Sequence, residues 1–328
     1  MKYDVFGMCN PLYDIQAEVS DPVLLSTGYD KGGMSLIGED QQKELISAIY
    51  EHIVNAESGG SGANTMIGIS MLGGSTCFTG KLGSDEHGKL YADKLNEKGV
   101  VLCAPHGEGT TGICVVLITP DAERTLCTFL GISRELSPDD VDIDALIASK
   151  YLYVTGYLWD TESQMAAVIR AMSAATHHGV KVALSLSDPF CVHRHRDAFL
   201  NIATEYVDLL IGNHEEMQAL TNTTNPEDAI SATVALCDMA AITIGARGSI
   251  LRDGDSIVTV PAFRVEPTDT TGAGDMYAAG LLYGITHGLT LEKTGRLAGY
   301  VAAQVVSKLG PRLEFIDFDA VANIFGES

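Results

Sequence analysis

The sequence predicts an α/β protein: a mostly parallel central sheet flanked by helices, with a small β-sheet lid subdomain set apart from it. Three observations carry this expectation. Residues 150–245 alternate short apolar runs with helical patterns, as parallel strands joined by crossover helices do. The segments 13–40 and 101–130 instead carry strands joined by turns, with little helix. The chain has 328 residues, 46% of them hydrophobic, enough to bury a sizeable core. The expected division is a large domain of residues 1–12, 41–100 and 131–328, and a lid of 13–40 and 101–130.

Each element follows from local pattern. "YDVFGMCN" (3–10) reads as a buried strand running into a turn, and "YDIQAEV" (13–19) alternates like a half-buried strand. "DQQKELISAIYEHI" (40–53) has helical spacing. "ANTMIGISMLG" (63–73), apolar and rich in small residues, reads as a buried helix opened by the glycines of 59–62. "STCFTGKLG" (75–83) and "GICVVLITP" (112–120) are strands, and "RTLCTFLG" (124–131) is another, across the turn "PDAE". "YLYVTGYL" (151–158), "VKVALSLS" (180–187) and "VDLLIGN" (207–213) are short apolar runs. Helical patterns such as "TESQMAAVIRAMSAATHH" (161–178) separate them. "AAITIGARG" (240–248) and "SIVTVPAF" (256–263) follow, and two helical patterns close the chain.

Lys and Arg total 21 against 43 Asp and Glu, a formal net charge of −22. Such a surface repels phosphate backbones and anionic lipid, so neither nucleic acid nor membrane is an expected partner. No apolar run reaches the ~18 residues of a spanning helix. The start "MKYDVFGMCN" lacks the apolar stretch of a signal peptide. The seven cysteines are scattered, without a C-x-x-C pair, and read as reduced core residues of a cytoplasmic protein. Cys191, His193 and His195 in "CVHRH" match no zinc spacing.

Chemistry concentrates in "TDTTGAGDMYAAG" (268–280). Gly272, Ala273 and Gly274 let the backbone approach a ligand closely, directly before Asp275 and an apolar helical run. A helix starting there points free N–H groups and partial positive charge outward, which suits an anion. The ordinary alternative is a helix start with Asp275 as a first-turn acid. There is no G-x-x-x-x-G-K-[ST], and no G-x-G-x-x-G after a first strand, which argues against a P-loop or dinucleotide fold.

"DTTGAGD" (269–275) resembles the C-terminal signature of the PfkB, or ribokinase-like, family of carbohydrate and nucleoside kinases. "SGGSGANTMIGISMLGG" (58–74) resembles its N-terminal signature. "FTGKLGSDEHG", "IGNHEEM" and "ITIGARGS" follow in the family's order. Within the family, "GMCNPLYDI", "TGICVVLITPDAERT", "LSLSDPF" and "VVSKLGPRLE" resemble the adenosine kinase-like branch.

The resemblance implies an ATP-dependent kinase with a ribokinase-like fold. Asp275 is the expected general base, the Gly272–Gly274 turn an anion hole, and Arg124 a lid residue turned to the transferred phosphate. Asn10, Leu12, Asp14, Gly60, Ser61, Asn64, Cys114, Leu126 and Tyr157 are implied on the acceptor side. Asn213, Thr243, Gly245, Gly248 and Thr271 are implied on the ATP side, with Glu216 organising Mg²⁺ through water. Asp269 is expected to shape the turn as an Asx residue. ATP and Mg²⁺ are the implied cofactors, and a monovalent cation stays open, as does the choice between monomer and homodimer. The expected reaction gives AMP from adenosine at the 5′-hydroxyl. A sugar or another nucleoside is the alternative acceptor, and a non-catalytic metabolite-binding protein the alternative class.

Overall fold

The computed structural model describes residues 1–308, 310–313 and 315–326. Its strands are β1 (Tyr3–Met8), β2 (Leu12–Glu18), β3 (Met34–Leu36), β4 (Ile53–Gly59), β5 (Thr76–Thr79), β6 (Leu82–Gly83), β7 (Val100–Leu102), β8 (His106–Gly107), β9 (Gly112–Ile118), β10 (Arg124–Phe129), β11 (Ser149–Thr155), β12 (Lys181–Ser185), β13 (Leu209–Asn213), β14 (Met239–Thr243), β15 (Ser249–Asp253) and β16 (Ser256–Val260). The helices are α1 (Asp21–Thr27), α2 (Glu39–Ala48), α3 (Ser61–Met71), α4 (Glu86–Glu97), α5 (Ile143–Ile147), α6 (Glu162–His178), α7 (Pro189–Tyr206), α8 (His214–Thr221), α9 (Pro226–Ala232), α10 (Ala273–Thr286), α11 (Leu291–Val306) and α12 (Phe318–Gly326).

A nine-stranded sheet in the order β16-β15-β14-β13-β12-β11-β1-β5-β7 forms the larger layer. Its pairings are parallel from β14 to β7, and β15 and β16 add an antiparallel edge. Helices cover both faces, so the inner strands are buried on both sides and read as apolar runs rather than alternating ones. Val5 and Tyr153 pack into a core on one face, Phe6 and Val154 into a core on the other. Helix α6 shows why the crossover pattern was readable. Thr161 caps its start by accepting from the Gln164 N–H, and Gly179 ends it in the left-handed conformation. Met66, Ile67 and Ile69 of α3 are fully buried, each worth about 2–3 kcal/mol relative to exposure.

The second sheet has the order β3-β10-β9-β2-β4. Its composition differs from the expected bounds of the small layer. Residues 53–59, expected in the large part, form β4 and pair antiparallel with β2. Residues 100–102 join β5 in the large sheet. The segment 13–40 also holds a helix that periodicity could not show. Helix α1 is only seven residues long, with Pro in its first turn and Gly28 ending it at φ 79°.

Cys77 of β5 and Cys103, just after β7, form a disulfide, where seven reduced cysteines were expected. Cys9, Cys114, Cys127, Cys191 and Cys237 are free. Among the described residues no His, Cys, Asp and Glu cluster could hold a metal by itself, and Cys191 lies in the core. No helix of the described residues is long and apolar enough to cross a membrane.

Candidate active site

The parallel strands wind in one direction through β1, β5 and β7 and in the other through β11 to β14, so the direction reverses between β1 and β11. A crevice opens at such a point, beyond the strands' carboxyl ends. Asn10 follows β1 there and Tyr157 follows β11. Asn10 Nδ2 donates to the Tyr157 carbonyl at 3.3 Å, and its Oδ1 accepts from Gln164 Nε2 at 2.7 Å. The Asn10 side chain therefore ties the two walls together. The Tyr157 hydroxyl donates to the carbonyl of Ser187 at 3.3 Å, beyond β12.

Helix α10 begins at the mouth of this crevice. Gly272 caps it in the left-handed conformation, and a Cβ there would stand 2.3 Å from the Pro311 carbonyl oxygen. The backbone itself requires glycine at this position. Gly274 differs, because a Cβ on it would meet nothing within 4 Å. The space in front of the helix is open. No side chain caps α10, and the Ala273 N–H turns back to the Thr270 carbonyl at 3.2 Å. The following amides of the first turn thus offer donors and partial positive charge to that space.

Asp275 is the third residue of this helix. Ser61 Oγ donates to its Oδ1, and Asn64 Nδ2 donates to its Oδ2 at 2.9 Å. Ser61 and Asn64 belong to the first turn of α3, which follows Gly60. Two helix starts therefore orient both carboxylate oxygens. Burial pushes the Asp275 carboxyl above its ordinary pKa, while Ser61, Asn64 and the charge of Arg312 pull it down.

Sequence reasoning did not single out Arg312. Its Nε donates to Asn64 Oδ1 at 2.7 Å, completing a chain from Arg312 through Asn64 to Asp275. Its Nη1 lies 3.4 Å from Ser58 Oγ and 3.5 Å from Glu57 Oε2. The residue sits in "KLGPRLE", a stretch with no periodicity, so the sequence carried no local signal beyond the family resemblance of that stretch. Asn64 has both ends of its amide engaged, which makes it a bridge within the site.

One row of registered residues crosses the small sheet: Glu57 on β4, Asp14 on β2, Cys114 on β9, Thr128 on β10 and Leu36 on β3. Polarity falls from the carboxylates to Leu36. Asp14 is buried, and burial pushes its carboxyl up to about 7, with the charges of Glu57 and Asp275 adding and those of Arg312 and Arg124 opposing. Cys114 accepts from Thr128 Oγ1 at 3.4 Å. Leu12 precedes Asp14 on the same face, and Leu126 lies one position further along the same face of β10. A cleft of about 330 Å³ opens at the Leu36 end, lined also by Thr128, Arg134, Asp160 and Arg194.

Arg124 at the start of β10 reaches across to the large layer. Its Nη2 pairs with Asp269 Oδ2 at 2.8 Å, both side chains buried. Asp269 also accepts from the Thr271 N–H at 2.9 Å and the Gly310 N–H at 2.8 Å. The expected Asx residue is therefore a junction between the small sheet, the turn before α10 and the segment after α11.

On the other side of the α10 start, Asn213 ends β13 beside Thr243 of β14. Asn213 and Glu216 form a reciprocal cap: the Glu216 N–H donates to Asn213 Oδ1 at 2.9 Å, and Asn213 Nδ2 donates to Glu216 Oε1 at 2.6 Å. Burial pushes the Glu216 carboxyl up to about 7, and the charges of Asp188 and Glu215 add to it. Asp188 caps α7, accepting from the Cys191 N–H at 2.7 Å. The Gly245–Gly248 turn packs on residues 260–262, beside a second cleft of about 330 Å³ lined by Thr259 to Phe263, Glu292 and Arg296.

The profile of the pfkB family carbohydrate kinases matches residues 34–316. The chain belongs to the pfkB family. A pfkB kinase is an ATP-dependent phosphotransferase that acts on a sugar or nucleoside hydroxyl, and kinases of the family use ATP and Mg²⁺. The chain is similar in structure to a probable sugar kinase from Rhizobium etli, at 33% identity and TM-score 0.89, with 99% of both chains covered. It is similar to adenosine kinase from Sinorhizobium meliloti at 36% identity and TM-score 0.87, covering 98% of this chain and 99% of the other. In sequence it is 30% identical to a 5-dehydro-2-deoxygluconokinase of Bacillus thuringiensis over 76% of this chain and 80% of that one.

The residues present fit both implied groups. An uncapped helix start opening on free space suits the phosphates of ATP. Glu216, buried and raised by the nearby Asp188, is a carboxylate whose ionisation a divalent cation would favour. Glu216 and Asp188 are the side chains of this pfkB kinase that would organise Mg²⁺, through water, since Mg²⁺ keeps much of its hydration.

Proposed function

We propose that this chain transfers the γ-phosphoryl group of ATP to the 5′-hydroxyl of adenosine, giving AMP. One observation carries the catalytic part: Asp275, oriented at both oxygens by Ser61 and Asn64, stands directly behind the open, uncapped start of α10. Asp275 accepts the hydroxyl proton as the oxygen attacks, and the α10 amides take the charge that develops on the phosphoryl oxygens. Asp14 and Asn10 face the ribose hydroxyls. Leu12, Leu36, Cys114 and Leu126 wall the apolar base, in line with the fall in polarity across the small sheet. ATP lies on the Asn213, Thr243, Gly245 and Gly248 side. Mg²⁺, when bound, would neutralise phosphate charge, with Glu216 the carboxylate that would organise it through water.

The small sheet acts as a lid. Its two ties to the large layer, the buried Arg124–Asp269 pair and the looser, partly exposed Glu57–Arg312 contact, hold it over the acceptor and exclude water from the reaction. A second reading keeps the chemistry and changes the acceptor to an anionic sugar. It is favoured by Arg134 and Arg194 in the cleft beside Leu36, although Arg194 already pairs with Asp160 at 2.9 Å. A phosphorylation screen with ATP and Mg²⁺ over nucleosides, neutral sugars and sugar acids decides between them. The expected outcome is a kcat/KM for adenosine at least ~10³ above that for ribose, since a sugar without a base forfeits several kcal/mol of buried contact. Turnover of a sugar or sugar acid with adenosine inert overturns the acceptor and leaves the kinase standing.

A further inference from the structure

We propose that Arg312 is a second catalytic guanidinium of this site, whose Nη2 is kept free to donate to an anionic oxygen of the phosphoryl group in transit. The inference rests on the reading of Asp275 as the base and adds a residue to that reaction.

The location comes first. The segment carrying Arg312 lies against the turn that opens α10: the Pro311 carbonyl oxygen fills the space beside Gly272, and the Gly310 N–H donates to Asp269 Oδ2 at 2.8 Å. Arg312 therefore enters the site from the residue next to the turn. Its side chain is only 8% exposed.

The guanidinium is fixed on two of its three nitrogens. Nε is bound to Asn64 Oδ1 at 2.7 Å, and Nη1 points to Ser58 Oγ and Glu57 Oε2. Nη2 is buried and, among the described residues, has no hydrogen-bond partner. A planar fork held at two nitrogens cannot turn the third to another acceptor. A buried, charged donor without a partner is costly, so its presence calls for an explanation. The carboxylates of Asp14 and Asp275 both feel the Arg312 charge. Neither forms an ion pair with it among the described residues. The unpartnered N–H pair thus belongs to a guanidinium whose charge reaches both the base and the acceptor-side carboxylate, between which the reacting oxygen would be placed.

Arg124 is the natural comparison. Its charge is countered by Asp269 at 2.8 Å, a tight buried pair. Arg312 has its nearest carboxylate oxygen at 3.5 Å, on the partly exposed Glu57. More of its charge remains for a substrate anion. In the step itself the acceptor oxygen forms a bond to phosphorus as the bond from phosphorus to the bridging oxygen of ADP breaks. The hydroxyl proton passes to Asp275, and the electron pair leaves with ADP. Arg312 forms no covalent bond. It donates to a non-bridging oxygen whose charge and position change along this path.

The test uses the full chain with Arg312→Gln and Arg312→Lys, and Asp275→Asn alongside. Steady-state kinetics give kcat and KM, and calorimetry gives the acceptor Kd. The expected result for Arg312→Gln is a fall in kcat of about 10²-fold, as for loss of an anion-stabilising donor, with the acceptor Kd within about threefold of wild type. Arg312→Lys restores the charge and is expected to recover part of kcat, while staying about fivefold or more below wild type because the fork is lost. A kcat for Arg312→Gln within about fivefold of wild type overturns the proposal. So does a loss of acceptor affinity as large as the loss of kcat with no recovery in Arg312→Lys, which marks a mere prop for Asn64. If Arg312→Gln does not fold, Arg312→Lys decides alone, and wild-type kcat in it overturns the proposal. Asp275→Asn separates the two readings: if it turns over normally, the base assignment fails, whatever Arg312 does.

Discussion

The two halves of the crevice are built differently. On the acceptor half, Asp275, Asn64, Arg312 and Glu57 form one chain of polar contacts and Arg124 with Asp269 a separate ion pair, and both join the small sheet to the large one. On the nucleotide half, a reciprocal cap between Asn213 and Glu216 stands on the strand next to the one that leads into the Gly245–Gly248 turn. The difference follows from what each half must do. A hydroxyl and its proton have to be placed to within a fraction of an ångström, which takes fixed side chains. A triphosphate can be held by backbone N–H groups and a hydrated cation, which need space rather than wiring.

The largest effect is expected where the wiring converges. Asp275→Asn keeps the shape and loses the base, so kcat should fall by ~10²–10⁴-fold while acceptor affinity stays close to wild type. A fall below about tenfold removes Asp275 from that role. Asp14→Ala comes next. It strips a buried carboxylate from the acceptor hydroxyls, and KM for adenosine should rise by roughly 30- to 100-fold, the size of a charged hydrogen bond. An unchanged KM places the ribose elsewhere.

Gly272 and Gly274 sharpen the comparison, because they look alike in sequence and differ in space. Gly274→Val projects into open space before α10 and should lower kcat about tenfold or more at an unchanged Tm. Gly272→Ala meets the Pro311 backbone at positive φ and should lower Tm instead. Wild-type kinetics in Gly274→Val would falsify the anion-hole assignment.

That pair also shows what the sequence could and could not reveal. "DTTGAGD" marked the turn, but not that one glycine answers to the protein's own backbone and the other to empty space. The parallel sheet was legible because buried strands such as β11 and β13 are unbroken apolar runs between capped helices. Strand β4, "IVNAESG", was not. It is an edge strand with exposed Val54 and Asn55, and only its end at Ser58 and Gly59 is buried, so it shows no alternation. Arg312 was illegible for a different reason. Its partners Asn64, Ser58 and Glu57 lie some 250 positions away, and no local pattern encodes such a contact.

The smallest expected effect concerns stability against pH, and it tests whether the two halves carry the same electrostatic strain. Asp14 and Glu216 are both pushed up to about 7, chiefly by burial, from ordinary values of 3.8 and 4.5. Between the ordinary and the raised value, the folded chain keeps a proton that the unfolded chain has released. The unfolded state then binds fewer protons, so stability falls as pH rises from about 4 to about 7 and levels off above that. Asp14→Asn cannot lose a proton and escapes this loss. It should match wild type near pH 4 and exceed it by about 1–3 kcal/mol at pH 8, read from denaturant midpoints. Glu216→Gln should behave the same way, with one difference. Asp14 has Arg312 and Arg124 to offset its charge, whereas Glu216 faces Asp188 and Glu215. Added Mg²⁺ at pH 8 should therefore stabilise the wild type and Asp14→Asn, and leave Glu216→Gln nearly unchanged. Equal stabilisation of all three proteins would place the cation away from Glu216 and break the contrast between a half wired by arginine and a half completed by metal.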